Sequence, residues 1–506
     1  MKRLPTLAVL GLLGGLVACG GDGPHGPVAD SGGTRVTTEG SQPQPSTTAG
    51  SAPQTSATPS AMATRVGEPC TTDGAIGYMD GGVVICDGGS TRYALPADLP
   101  AAPAGGYTTA PDWYPSLESL FGQPDNAGDS AACAPSDVVF SSPVVPNEAL
   151  APSIPHGMMI GDHVTPIDHM YLGLQSLSKP QAELTDADYV PVTAPADGTI
   201  VELSSLGSTS AHRVVIMHGC NVVSVYMVLN KVTGVLADYA DDVETDHYVR
   251  LSLPVKAGDE FGQQRETPLD FNVFDGTSWL PGFVNPYSYA MGEPWKPYTV
   301  DPLPFFTDEL RAPIEASLQR TTEPRWGKVD PDVAGSAAGN WFLDGTIGYM
   351  GWPTDEVAAA TTMIPGGAVP GKNTYSYGHL SLSPHWVDTT QWVFSAGWWA
   401  DPNGDPHQGL LVVGAGQPAP DSLTAASGPV AYALADLQIV DPPGATPKVP
   451  GTAAPDPVGY TVTAGQPQGW VLVEVVDDAT LHIEVVTDPT APAPTSFTDA
   501  MRSYHR

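Results

Sequence analysis

After about residue 66 the chain is built from short runs of β-branched and aromatic residues separated by Gly, Pro, Asn and Asp. Such runs predict strands, because branched and aromatic side chains fit a pleated surface whereas Gly and Pro interrupt it. Residues 199–203, 213–218 and 221–228 read as one antiparallel group, and 391–395, 409–413, 469–476 and 480–486 as a second. Tyr78-Met-Asp-Gly-Gly-Val-Val-Ile-Cys86 predicts two short strands about an Asp80-Gly81-Gly82 turn. Only 308–319 and 496–504 carry a helical pattern, each with Thr or Ser ahead of acidic residues as a cap. Asp73-Gly-Ala-Ile-Gly-Tyr-Met79 is echoed by Asp344-Gly-Thr-Ile-Gly-Tyr-Met350, which would suit one turn-plus-strand unit used twice.

The start of the chain is different in kind. Met1-Lys2-Arg3 precedes a mostly apolar run from Leu4 to Ala18, the layout of a secretory signal and too short to span a bilayer. The run ends Leu16-Val17-Ala18-Cys19-Gly20, which resembles the lipobox of bacterial lipoproteins. That resemblance implies cleavage of a 1–18 signal peptide and lipidation (diacylglycerol, palmitate-type chains) of Cys19. Residues 19–65, rich in Gly, Ser, Thr, Pro, Ala and Gln, bury too little apolar surface to fold and read as a disordered tether. No later run reaches the ~18 apolar residues of a membrane helix, so a lipid is the expected membrane attachment. The expected location is the cell envelope, at the outer membrane or on the outer face of the plasma membrane.

Charge narrows the partners. A net charge of −35 with 20 Lys plus Arg argues against nucleic acid, because phosphate binding needs a basic surface. The 53 Pro and 55 Gly point to a loop-rich, mainly β chain. We therefore expect a small disulfide hairpin at 66–98, an antiparallel β domain at 133–300 and a second β-rich domain at 322–506. Setting Cys19 aside leaves Cys70, Cys86, Cys133 and Cys220, an even number in an oxidising compartment. Three pairings are open; Cys70 with Cys86 and Cys133 with Cys220 is preferred because the first closes a short hairpin. A zinc site is the weaker reading, as no C-x-x-C spacing occurs.

Between His163 and Phe274 a series of motifs stands in a familiar order. Gly161-Asp-His-Val-Thr-Pro-Ile-Asp-His169 is followed by Val192-Thr-Ala-Pro-Ala-Asp-Gly-Thr-Ile-Val201 and His212-Arg-Val-Val-Ile-Met-His-Gly219. Val225-Tyr-Met-Val-Leu229, Val255-Lys-Ala-Gly-Asp-Glu-Phe-Gly262 and Pro268-Leu-Asp-Phe-Asn-Val273 complete it. This stretch resembles the lysostaphin and LytM family of zinc murein endopeptidases over about a quarter of the chain. The resemblance implies an antiparallel β domain of the duplicated hybrid motif type with an elongated peptide groove. It also implies a zinc held by two histidines and a carboxylate, a water in the open position and further histidines to move the proton.

Most of those side chains are missing. His169 stands for the first ligand, but the expected aspartate falls on Leu172 or Gly173, and the histidine of the tyrosine-x-histidine strand is Val228. The two histidines of the last strand are Pro268 and Asp270. His169 and Asp270 remain as candidate metal ligands, and two ligands without a neighbouring acid or base give a weak, unreactive zinc. We expect no catalytic residue and no cofactor, zinc being the alternative. A wider metal set would be His163, His169, His218 and Asp270, against which stands the ordinary use of strand histidines in packing.

Two features of the second domain also invite a reading. Asp401-Pro-Asn-Gly-Asp405 begins like a calcium loop, but Pro406 and Val412 occupy positions that need Gly and Glu, so a solvated turn is expected. Trp341, Phe342, Trp352, Trp386, Trp392, Trp398 and Trp399 offer either a sugar-stacking platform or an ordinary β core. No nucleophile elbow, P-loop or dinucleotide fingerprint occurs. The leading expectation is a pseudoenzyme: an envelope lipoprotein whose LytM-like domain binds peptidoglycan or an envelope protein without cutting it. The competing expectations are an active zinc endopeptidase with substituted ligands and a glycan-binding lipoprotein acting through its C-terminal tryptophans.

Overall fold

The computed structural model describes residues 66–79, 81–103, 106–122, 135–206, 211–219, 221–362, 375–399, 406–449 and 451–506. The signal peptide, Cys19, the tether, Cys133, Cys220 and the 401–405 loop lie outside these residues. The described chain is mainly β, in several antiparallel sheets.

The 66–98 segment is a three-stranded sheet of β1 (Ile76–Met79), β2 (Gly82–Asp87) and β3 (Ser90–Tyr93), one strand more than the expected hairpin. Cys70 is bonded to Cys86, with Cα atoms 5.8 Å apart, which ties the leading loop to β2. Arg92 pairs with Asp87 and Asp98 at 2.7 Å each. The piece does not stand alone. Val83, Val84 and Tyr93 join Trp113, Tyr114 and helix α1 (Leu117–Phe121) in an apolar cluster that also contains Val201, Val215, Val223, Val225 and Phe274.

Those last residues belong to a seven-stranded antiparallel sheet. Its strands are β4 (Leu150–Ile154), β5 (Met170–Leu174), β7 (Gly198–Ser205), β8 (His212–Gly219), β9 (Val222–Leu229), β11 (Tyr248–Val255) and β13 (Leu269–Asp275). They run in the order β11-β7-β8-β9-β13-β5-β4. Strands β6 (Val190–Thr193), β10 (Lys231–Val232) and β12 (Glu260–Gln264) form a smaller sheet, and helix α2 (Ala240–Asp246) leads into β11. Alternation sets the two faces, since successive strand residues point opposite ways. Val214, Ile216, Tyr226, Phe271 and Val273 face one core with Phe261; Val215, Val223, Val225 and Phe274 face the other. After β13 come the short helix α3 (Pro286–Ala290) and helix α4 (Asp308–Ser317). Phe306, Ile314 and Leu318 complete the first core, so the sheet draws on chain well past residue 300.

The C-terminal part is a closed eight-stranded barrel. It is formed by β14 (Gly339–Leu343), β17 (His379–Pro384), β18 (Trp392–Ala396), β19 (His407–Val412), β20 (Val430–Val440), β21 (Thr461–Asp477), β22 (Thr480–Val486) and β23 (Arg502–His505). A small ribbon of β15 (Thr346–Ile347) and β16 (Trp352–Pro353), followed by helix α5 (Thr354–Ala359), hangs beside it. The interior is filled by Trp341, Phe394, Tyr432, Leu434, Val471, Val473, Ile483 and Tyr504, as an eight-stranded barrel is just wide enough for side chains. Arg506 covers one end, its guanidinium donating to the carbonyls of Val333, Ser336 and Ala338 and lying 4.1 Å over the Trp341 ring.

The helix expected at 496–504 is corrected. Thr498 does not cap a helix: its N–H and hydroxyl both donate to the Glu484 carboxylate, at 2.6 and 2.7 Å. Residues 502–505 then form β23, which pairs with β14 and β22 and so closes the barrel. The echoed heptapeptides also differ, since Ile76–Met79 is a strand whereas Ile347 ends one and Gly348 turns the chain with φ +35°. No helix among the described residues is long and apolar enough to cross a membrane.

Candidate functional site

Alternation in β13 places Leu269, Phe271 and Val273 in the first core and turns Asp270 and Asn272 to the opposite face. Register then sets Asp270 between Met227 of β9 and Tyr171 of β5. In β5 it is Met170, Leu172 and Leu174 that enter the first core, so Tyr171, and His169 just ahead of the strand, emerge beside Asp270. The two residues singled out by sequence are therefore neighbours: His169 Nε2 lies 3.2 Å from Asp270 Oδ2 and 3.1 Å from the Tyr171 hydroxyl. His169 Nδ1 lies 3.2 Å from Asp168 Oδ1.

The cation that completes this cluster is not among the residues that sequence reasoning singled out. Lys296, on the turn after α3, has its Nζ 3.0 Å from Glu293 Oε2 and 3.9 Å from Asp168 Oδ1, and donates to the Pro166 carbonyl at 3.3 Å. It lies 5.1 Å from the centre of the Tyr349 ring, whose hydroxyl shares a hydrogen bond with Thr165 at 2.7 Å. Tyr349 comes from the ribbon beside the barrel, and its carbonyl meets His379 Nε2 of β17 at 2.9 Å. The cluster thus sits where sheet, loop and barrel meet. It is closed to solvent: Asp168, His169, Asp270 and Lys296 are 6%, 4%, 1% and 3% exposed.

Burial makes pairing decisive, because an uncompensated charge this deep would neutralise or unfold its surroundings. Burial opposes a charge on His169, yet Asp270 and Asp168 raise its pKa above the ordinary histidine value. Both ring nitrogens face carboxylates, an arrangement that suits an imidazolium. Burial also raises the Asp270 carboxyl, to about 7, although His169 works against it. Asp168 is held well below the usual carboxylate range by Lys296 and His169, despite its burial. Glu293 is raised by burial, with Lys296 opposing.

A second buried histidine lies along the same face. His156 Nε2 is 3.2 Å from Asn272 Oδ1 and its Nδ1 is 3.1 Å from the Trp326 carbonyl. Asn272 Oδ1 also accepts from the Val273 N–H at 2.7 Å, which fixes that atom as the oxygen. Both partners of His156 are acceptors, but burial lowers its pKa to about 4, so at neutral pH it donates through one nitrogen only.

The other sequence candidates are dispersed. His163 is positioned by reciprocal backbone hydrogen bonds with Ile160, its ring edge-on to His169 at 5.8 Å, and burial takes its pKa to about 3. His218 lies on the opposite side of the sheet, against the Phe140 ring at 5.2 Å and 2.7 Å from Ser224 Oγ. The four-residue metal set is therefore split between two faces. Among the described residues, no three His, Cys, Asp or Glu side chains stand together in a metal-binding arrangement. Val228, in the place of the family's catalytic histidine, occupies a bulge of β9 with φ +53°.

The tryptophans do not form one surface. Trp341, Phe342 and Trp352 are buried, while Trp386 stacks on His385 at 3.9 Å, Trp399 is tilted against His407 at 4.2 Å, and Trp398 lies under Arg502 at 3.3 Å. No protein-family model matches the sequence, and no curated protein is significantly similar to it.

Proposed function

We propose that this chain is an exported envelope lipoprotein, anchored through Cys19, whose sheet domain keeps a LytM-like scaffold as a non-catalytic binding or regulatory module. The observation that carries the non-catalytic reading is the closed network about His169. A catalytic zinc needs three protein ligands and an open position for water. Here both nitrogens of His169 already face Asp168 and Asp270, and Leu172, in the expected aspartate's place, points into the apolar core. The donors present do not fit a zinc ion.

The same network bears on what is bound. The face on which the resemblance would put a peptide groove is covered by this chain's own residues, from Trp113 and Tyr114 to Tyr298 and Met350. A partner, whether peptidoglycan or another envelope protein, is met on the outer surfaces of the molecule. The test has three arms on the full chain: zinc analysis, digestion of isolated cell wall and co-sedimentation with that wall. The expected result is no stoichiometric zinc, no release of wall peptides, and recovery of the chain either on the wall or with an envelope protein. One tightly held divalent metal per chain together with wall digestion would overturn the proposal. Cys19→Ser should move the chain from the membrane fraction to the soluble one; an unchanged distribution removes the lipid anchor.

A further inference from the structure

We propose that Lys296 and Asp168 become joined side chain to side chain by an isopeptide bond, with Glu293 as the proton carrier. The inference does not depend on the functional reading above. It rests on Lys296 and Glu293, three residues apart, brought against Asp168 from a distant part of the chain. The Lys296 amine lies 3.9 Å from Asp168 Oδ1 and 3.0 Å from Glu293 Oε2, and it also donates to the Pro166 carbonyl. A lysine is a nucleophile only as the free amine, and a nearby carboxylate in a dry site is the group able to take its proton. Reacting atoms need to approach to roughly 3–3.5 Å, so the long lysine side chain must bring Nζ from its contact with Oδ1 onto Cγ, the carbon that carries that oxygen.

The step balances without an oxidant or a co-reactant. The ammonium passes one proton to the Glu293 carboxylate, and the freed nitrogen lone pair attacks Asp168 Cγ. A C–N bond forms, one C–O bond of Asp168 breaks, and that oxygen leaves as water with the two protons the nitrogen gives up, one of them returned by Glu293. His169 Nδ1, 3.2 Å from Asp168 Oδ1, donates a hydrogen bond that draws electrons from the carboxyl carbon. Transfer of the proton to Glu293 also removes one of the two positive charges, Lys296 and His169, that hold Asp168 ionised, which makes its carboxyl easier to attack. Two observations favour the product. Lys296 and Asp168 are almost completely buried and Tyr349 covers the amine, so water is scarce where condensation must compete with hydrolysis. A neutral amide also replaces two buried charges, which are costly to keep out of water.

The bond would tie the loop ahead of β5 to the turn after α3, beside the Tyr349 ring. Peptide mapping of the full wild-type chain by mass spectrometry tests it. The expected product is a branched peptide pair containing Asp168 and Lys296, lighter than the sum of its parts by one water. Lys296→Arg and Glu293→Gln should give only the linear peptides, and Asp168→Asn should give the same branch with ammonia lost instead of water. Wild-type chain that yields only linear peptides overturns the proposal, whatever the variants do. A water loss mapped to Glu293 and Lys296, or to any other pair, overturns it equally.

Discussion

Both faces of the seven-stranded sheet carry an apolar core, yet where β13 meets β5 alternate residues of the same strands fill the two faces with opposite chemistry. One face of β13 sends Leu269, Phe271 and Val273 into an apolar core, where each contact is weak and non-directional and the sum depends on filled volume. The other sends out Asp270 and Asn272, which meet His169 and His156 through single bonds of defined geometry. An apolar face loses stability in proportion to what is removed. A buried charged face loses most when a partner is left behind.

Acidification should have the largest effect, since it bears on histidines. Burial lowers His156 and His218 to about 4 and His163, His379 and His385 to about 3. Each has a folded pKa below its unfolded value of ~6.5, so the unfolded chain binds more protons on the acid side. Their contribution is complete above pH ~6.5 and is lost as pH falls toward 3. Each histidine adds up to ~1.4 kcal/mol of destabilisation per pH unit within that window. Asp270 has the opposite sign: its carboxyl is raised to about 7, so its contribution is present below the ordinary carboxylate pKa and disappears as pH rises through 7. His169 and Glu293, also raised, and Asp301 and Asp332, raised to about 6 by burial, act in the same sense as Asp270, so the net loss is smaller than the five histidines alone would give. Urea midpoints should still fall between pH 8 and pH 4, and midpoints that rise instead would show that these rings are not buried as described.

A double-mutant cycle on each face comes next in size. His169→Ala and Asp270→Ala should each cost about 3–5 kcal/mol because each strands a buried partner. The double variant should cost at least ~2 kcal/mol less than their sum, since removing both leaves fewer uncompensated charges. On the apolar face, Phe271→Ala should cost a similar ~3–5 kcal/mol by opening a cavity. Its coupling to Tyr226, whose ring is 5.5 Å away, should be only ~0.5–1.5 kcal/mol. Equal couplings would mean that the two faces are held by the same kind of interaction.

The apolar face was far easier to read from sequence than the polar one. Strands β7, β8 and β9 announce themselves as β-branched runs, and β18, β19, β21 and β22 do the same in the barrel. His169 and Asp270 could be paired because both fall within one ordered set of motifs. Lys296 and Glu293 could not, for they sit in a Pro- and Trp-containing turn whose position against Asp168 is set by tertiary packing alone. The available signal was local: a lysine between Trp295 and Pro297, in a chain with 20 Lys plus Arg, is an unusual place for an ammonium. Barrel closure was hidden for a similar reason, because β23 gains its strand character from pairing with β14 and β22 rather than from its own four residues.

The smallest effect concerns Val228, where the faces meet at the β9 bulge. A β-branched residue at φ +53° is strained, by roughly 1–2 kcal/mol relative to the right-handed region. The strain is held in place by Gln264, which donates to the Val228 carbonyl at 3.1 Å while also anchoring Thr267. Glycine at this position would lose the buried side chain but release the strain, whereas glycine at Val214, buried in β8, would lose the side chain with nothing in return. Val228→Gly should accordingly cost ~1–2 kcal/mol less than Val214→Gly in urea denaturation. Equal costs would mean that the bulge accommodates valine without strain, and that the site where the resemblance puts a catalytic histidine is an ordinary strand position.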